Sequence, residues 1–171
     1  LVSVASAGAQ SLWPFFNYHG RESARSRAML RKATLVFALG GLVAGLGLLL
    51  FARTFAAIVG SGDVVIPDLL LYATAAVLLS QCVQLPAGML LTDSRGLLWQ
   101  GSFNLVMAVG VIVAAWLITP ALGAAGPMVA FAVGTILLQA VPTLIVAFQR
   151  TGASGRPDDL SIVSPNKKGS L

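Results

Sequence analysis

Apolar residues are arranged along the chain in four long runs that are separated by short polar segments. The runs cover about 33–51, 68–91, 97–118 and 127–148. Each has about the 20 residues that an α-helix needs to cross a hydrocarbon core of roughly 30 Å. The pattern predicts an all-α fold, a polytopic transmembrane helix bundle over 33–148 with four full spans, named here spans A to D in chain order.

The placement of charge supports spans C and D in particular. No Asp, Glu, Lys or Arg occurs from Gly96 through Gln149, a stretch of about 80 Å as an α-helix. Only 10% of all residues are charged and 57% are hydrophobic, whereas soluble domains have roughly 25% charged residues. The composition therefore excludes an ordinary soluble enzyme.

Span A carries a signal for close packing, and the loops carry a signal for topology. Gly41 and Gly45 form a small-xxx-small pair that lets a neighbouring helix approach span A closely. The segment TDSRG (92–96) predicts a tight polar turn between spans B and C. Because the connections after B and after C are short, we expect B to lie antiparallel beside C, and C beside D.

The two ends of the chain differ from its middle. Residues 1–18 are apolar but have no basic segment before them, so we interpret them as the end of a preceding transmembrane helix rather than a signal peptide. The chain is then a fragment of a longer protein. Residues 19–32 form a basic amphipathic arm, and the Gly-, Ser- and Pro-rich composition of 149–171 predicts a disordered tail.

The basic residues give the orientation. With four crossings, all 11 basic residues except Arg53 fall on one side of the membrane, which the positive-inside bias makes the cytoplasmic side. This pattern explains the net charge of +5 by membrane orientation rather than by nucleic-acid binding. The residues of the arm either hold anionic lipid or attract the diphosphate of a lipid-linked substrate. They are Arg21, Arg25, Arg27, Arg31 and Lys32.

Residues for catalysis or for a cofactor are not apparent. His19 is the sole histidine and has no partner at the spacing of metal ligands. Cys82 is the sole cysteine, so it forms neither an intramolecular disulfide nor a cysteine-based metal site, and we expect it to be a buried apolar residue. The sequence predicts a protein that is not an enzyme and needs no cofactor.

Five amide side chains lie inside the predicted spans, where a polar group facing lipid is costly. Their spacing of three in span B and of four in span C puts each pair on one helix face. They either hydrogen-bond between helices and stabilise packing, or line a path for a polar solute. A neutral amide lining suits hydroxyl-rich ligands such as sugars. The five residues are Gln81, Gln84, Gln100, Asn104 and Gln139.

The order of several segments resembles one family of transporters. SLWPFFNYHGRE before the basic arm, LLTDSRG between the middle spans and LGAAGPMVAFAVGTIL at the last span are together similar to the polysaccharide and O-antigen flippases of the multidrug, oligosaccharidyl-lipid and polysaccharide export superfamily. The similarity extends to about Arg150. Asp93 and Arg95 depart from the family's usual Asn and Gly pattern, so no family role is carried onto them.

The resemblance implies a function and a set of partners. The chain would be the C-terminal portion of a bundle of roughly a dozen helices in two repeated halves, in the bacterial cytoplasmic (inner) membrane with its C-terminus in the cytoplasm. By alternating access it would move a lipid-linked oligosaccharide or polysaccharide precursor from the cytoplasmic to the outer leaflet. Its partners would be this glycan lipid, membrane lipids and the missing N-terminal helices.

Two alternatives remain open from the sequence. One is a cation-coupled multidrug exporter of the same superfamily, which usually carries acidic residues within the membrane, whereas Asp63, Asp68 and Asp93 lie at span ends. The other is a small membrane scaffold that transports nothing, for which four helices would suffice.

Overall fold

The computed structural model describes residues 24–59 and 66–151, together with Ala7, Gly8, Gln10 and Pro14. Over these ranges the chain is helical and contains no strand, which confirms the all-α class. A 3₁₀ turn, Gly123–Ala125, separates α3 from α4, and a π-helical turn, Thr135–Ala140, joins α4 to α5. The helices are α1 (Ala24–Val59), α2 (Asp68–Leu90), α3 (Ser94–Leu122), α4 (Gly126–Gly134) and α5 (Val141–Arg150).

Three helical stretches within the described ranges are long and apolar enough to cross a membrane. They are Arg25–Val59, Asp68–Leu90 and Ser94–Arg150. The third has 57 residues and folds back on itself at Gly123, whose φ of 55° is one that glycine adopts readily. Asn104 and Gln139 meet across this hairpin, so α3 and α4–α5 are antiparallel, as predicted for spans C and D.

α1 and α2 pack closely through the predicted glycine pair. Gly41 is so near α2 that a Cβ on it would lie 2.9 Å from the Cβ of Cys82 and 3.2 Å from the Cα of Leu79. A Cβ on Gly45 would lie 3.5 Å from that of Ala75. The small-xxx-small contact is confirmed, and Cys82 is buried within it.

The expectation that span B lies beside span C is wrong. α3 packs against α4 and the π-helical turn and does not pack along α2, while α2 packs against α1, α4 and α5. Small buried residues of the hairpin's second arm allow this close fit, among them Ala130, Ala132, Ala140 and Ala147. A short turn fixes only where two helices meet, so α2 and α3 diverge from Leu91 and leave a wedge between them.

α1 extends beyond span A in both directions. The described part of the basic arm is continuous with the helix, and Arg53, which the sequence placed in the following connection, lies within it and pairs with Asp68 of α2. Neither 24–32 nor 52–59 contains Gly or Pro, so nothing in these segments ends the helix. At 36 residues, or about 54 Å, α1 is longer than a hydrocarbon core of roughly 30 Å.

Several predictions fall on other parts of the chain. The preceding helix over 1–18 lies outside the described residues except for four helical positions, and Arg21, His19 and the tail beyond Thr151 also lie outside them.

The outward surface of the bundle is apolar. Leu50 of α1 is 71% exposed, and Ile112 and Trp116 of α3 are 70% and 80% exposed. Apart from Gly96, α3 buries none of its residues. Soluble monomers rarely expose contiguous apolar surface on this scale, so the helices indicate a membrane protein.

Candidate functional site

The wedge between α2 and α3 contains a cleft of about 260 Å³. α2, α3 and the π-helical turn all contribute to its walls, and all five amides predicted from the sequence line it. The sequence placed these residues on helix faces only in pairs, and the fold brings both pairs and Gln139 together. The other lining residues are Leu85, Gly88, Met89, Thr92 and Thr143.

Gln100 ties α3 to the end of α2 at the narrow part of the wedge. Its Nε2 donates to the backbone oxygens of Gly88, at 3.1 Å, and of Leu91, at 3.3 Å. These carbonyls lie in the last turn of α2 and on Leu91, the residue that follows it, where intrahelical donors run out. The side chain therefore stabilises the end of one helix from the first turns of the next.

The other four amides bond to one another in two pairs. Gln84 Nε2 donates to Gln81 Oε1 at 2.6 Å within α2. Gln139 Nε2 donates to Asn104 Oδ1 at 2.7 Å and so links the π-helical turn to α3. The packing role that the sequence allowed is thus realised between helices at Gln139 and Asn104.

Each of the five amides nevertheless keeps one polar atom without a partner among the described residues. These atoms are the carbonyl oxygens of Gln84, Gln100 and Gln139 and the amide nitrogens of Gln81 and Asn104. The oxygen of Gln139 is also buried, and a buried polar group without a hydrogen bond is costly. One polar atom of each amide is therefore used in a hydrogen bond, and the other has none from the described residues.

The π-helical turn has a local cause and a local effect. Pro142 has no backbone N–H, so the α-helical hydrogen bond to the oxygen of Leu138 cannot form. Val141 N–H instead donates to Ile136, five residues earlier. Such wide turns occur frequently at functional sites, and this one carries Gln139.

Asp93 closes the narrow end of the wedge, a role that sequence analysis missed. Its Oδ1 accepts from Gly96 N at 3.2 Å and from Arg150 Nη1 at 2.7 Å, so it caps α3 and ties the α2–α3 turn to the end of α5. Burial alone would raise the pKa of this carboxyl, but the Arg150 guanidinium and the Gly96 N–H hold the pKa below its ordinary value. An Asp directly before a helical run is a capping signal, so the cap could have been found from the sequence. The distant Arg150 gave no signal that it would pair with this Asp.

The described residues of the basic arm lie at this same end of the bundle but outside the cleft. The start of α1 packs onto the ends of α2 and α5 through a cluster that includes Leu30, Leu90 and Ala147. The described basic side chains of the arm are exposed and do not line the cleft. The basic residues of the arm and the five amides of the cleft are therefore near one another along the bundle but form separate groups. The exposed arm residues are Arg25, Arg27, Arg31 and Lys32.

A second, wholly apolar groove of about 360 Å³ follows the α3–α4 hairpin. Glycine and alanine form much of its floor, with Gly110 and Ala114 on α3 and Ala130 and Gly134 on α4. The side chains along it offer neither charge nor amide, so this groove suits hydrocarbon or another helix rather than a polar solute.

Comparison with protein-family models, with curated proteins and with solved structures gives no match. The resemblance to polysaccharide flippases therefore stays a prediction. Over residues 24–59 and 66–151 the fold and the cleft define an apolar helical bundle with the character of a membrane protein and with a polar cleft.

Proposed function

We propose that the chain is part of a membrane transporter that moves a lipid-linked oligosaccharide or polysaccharide precursor from the cytoplasmic to the outer leaflet. The observation that carries the proposal is the convergence of five neutral amides, from three helical segments, in one cleft. Polar side chains at membrane depth usually mark a solute path or a packing contact. Here half of each amide is left over after packing, which favours a solute path.

The proposed topology has four crossings. The hairpin Ser94–Arg150 crosses twice, outward as α3 and back as α4–α5, after α1 and α2 have crossed once each. The turn at Asp93 and the start of α1 then share the cytoplasmic side of a bacterial inner membrane, by the positive-inside bias. The C-terminus is on this side as well, and the Arg53–Asp68 pair is on the outer side.

In this arrangement the charged and uncharged parts of the substrate have different sites. The exposed cations of the arm attract the diphosphate or neighbouring anionic lipid, each worth about 1 kcal/mol near the surface. The amide cleft, which extends from Thr92 in the α2–α3 turn toward Gln139, takes the sugar. Rocking of this bundle against further helices of the same chain would expose the cleft to each side in turn.

Deletion of the gene tests this function. We expect surface polysaccharide to fall and its lipid-linked precursor to accumulate, with recovery when the wild-type gene is returned. Unchanged surface polysaccharide would overturn the proposal. Drug hypersensitivity without a polysaccharide defect would instead favour the cation-coupled multidrug exporter.

A membrane scaffold is the second candidate, because the apolar groove on α3 and α4 is shaped for a helix. Cys82 is unsuited to a cross-linking test since it is buried against Gly41. Ala114→Cys in a Cys82→Ser background places the only thiol in the groove. A stable homodimer or partner adduct through this thiol supports the scaffold, and monomeric protein counts against it.

A further inference from the structure

The free polar atoms of the amide cleft specify what part of a substrate it would hold. We infer that the cleft binds a single uncharged polyhydroxyl ring, and that Gln139 on the π-helical turn selects for a hydroxyl donor. The inference rests on the proposed function and names the group that the cleft takes.

The size of the cleft limits its ligand. Pockets that hold drug-sized ligands are about 300–1,000 Å³, whereas this cleft is about 260 Å³. A chain of several sugars or a polycyclic drug therefore does not fit wholly within it. One ring fits, with the rest of the substrate outside.

The charge of the cleft limits its ligand further. The lining residues include no Asp, Glu, Lys, Arg or His, and the nearest ion pair, Asp93 with Arg150, is already complete. A charge buried without a partner is strongly disfavoured. A diphosphate or a drug cation would therefore stay outside, and the ring that enters is neutral.

The pattern of donors and acceptors points to hydroxyl groups. Three carbonyl oxygens and two amide nitrogens of the cleft have no partner among the described residues, so a matching ligand must both donate and accept hydrogen bonds. A hydroxyl does both. An ether oxygen only accepts, and it would leave the oxygens of Gln84, Gln100 and Gln139 without donors.

Gln139 is the residue on which this selection depends most. Its Oε1 is buried and has no hydrogen bond within the described residues, so the unliganded cleft carries an unsatisfied acceptor beside the Asn104 contact. The terminal torsion of a glutamine is soft, but Oε1 and Nε2 turn together, so bringing the oxygen to the cleft wall weakens the bond from Nε2 to Asn104. A ligand hydroxyl then satisfies the oxygen, whereas an acceptor-only ligand is repelled.

Two probes with the same alkyl chain isolate this effect. Binding of radiolabelled octyl glucoside and of the methyl-capped octyl tetraethylene glycol ether, which has acceptors but no donor, would be measured on the full chain in nanodiscs, with empty nanodiscs subtracted. We expect the glucoside to bind about tenfold more tightly, which one or two neutral hydrogen bonds supply. Equal binding of the two probes would overturn the inference.

A variant and a modified probe assign the preference to Gln139. Gln139→Leu should abolish the preference, while Gln149→Leu, an exposed residue of α5 outside the cleft, should keep it. Preference retained in Gln139→Leu would contradict the selecting role. Permethylated octyl glucoside has no hydroxyl donors, so it tests the wild-type protein without any substitution. Undiminished binding of this probe would also overturn the inference.

The inference and the proposed function can fail separately. If the protein prefers the glucoside but deletion of its gene leaves surface polysaccharide unchanged, the binding site is supported and the flippase function is refuted. If deletion causes a polysaccharide defect but the protein shows no glucoside preference, the transport function is supported and this binding site is refuted.

Discussion

The contact between α1 and α2 at Gly41 permits a sharp test of the fold. Gly41→Ala adds one methyl group that would lie 2.9 Å from Cys82 Cβ and 3.2 Å from Leu79 Cα. The optimum for two carbon atoms is about 3.5–4.0 Å. The two helices must therefore move apart locally by about 0.5–1 Å, because Leu79 Cα is backbone and cannot rotate away.

The magnitude follows from a matched substitution on the same helix. Overpacking a close contact costs about 1–3 kcal/mol, while Ala in place of Gly within a helix gains up to about 1 kcal/mol. At Gly40 and Gly47 an added Cβ would meet nothing within 4 Å, so Gly40→Ala and Gly47→Ala gain helix stability without a packing cost. The difference between Gly41→Ala and either control isolates the packing cost of about 1–3 kcal/mol.

Unfolding in mixed detergent micelles measures this difference. We expect the free energy of unfolding to fall in Gly41→Ala relative to Gly40→Ala. Equal values for the two variants would refute the close approach of α1 and α2 at this point.

Three further predictions concern the turn and the thiol. The lowered pKa of Asp93 means that its pair with Arg150 stabilises the protein at neutral pH and loses this effect as the pH falls below about 3.8 through the folded-state pKa. Asp93→Asn should therefore lower Tm at pH 7 and flatten the decrease in Tm that acid causes. A Tm profile unchanged by the substitution would contradict the pair. Gly96→Ala places a Cβ 2.5 Å from Asp93 Oδ1 and should lower the free energy of unfolding by about 1–3 kcal/mol, whereas Gly101→Ala, where the space is open, should not. Cys82 should react with a maleimide only after denaturation, and rapid labelling of the folded protein would show that it is not buried.

Local patterns predicted the helices and the packing motif well. Each of the four apolar runs coincides with helix in the described ranges, and Gly41 and Gly45 were identified from spacing alone because a four-residue spacing puts them on one face of any α-helix. The ends of α1 were missed, since an apolar run shows where hydrocarbon contact ends and not where the helix ends. Arg53 is the clearest case, because it is polar yet lies within a helix that continues to Val59.

The arrangement of the helices could not be predicted from neighbouring residues. The α2–α3 connection is short, but the angle between these helices is set by α4 and α5, which arrive some thirty residues later and pack against α2 through Ala132 and Ala147. The same non-local packing brings Gln139 to Asn104 and Arg150 to Asp93. The sequence therefore singled out the five amides as candidates, and the fold was needed to show that they share one cleft.

Translocation of a lipid-linked glycan through this cleft is tested most directly in proteoliposomes that contain the full chain. The double variant Asn104→Leu with Gln139→Leu removes both partners of one hydrogen bond and so leaves no unpaired group behind. We predict that translocation of a fluorescent lipid-linked glycan falls at least about tenfold, the equivalent of 1.4 kcal/mol, while Gln149→Leu transports at the wild-type rate. Wild-type translocation by the double variant, at an equal amount of folded protein, would contradict a transport role for the cleft.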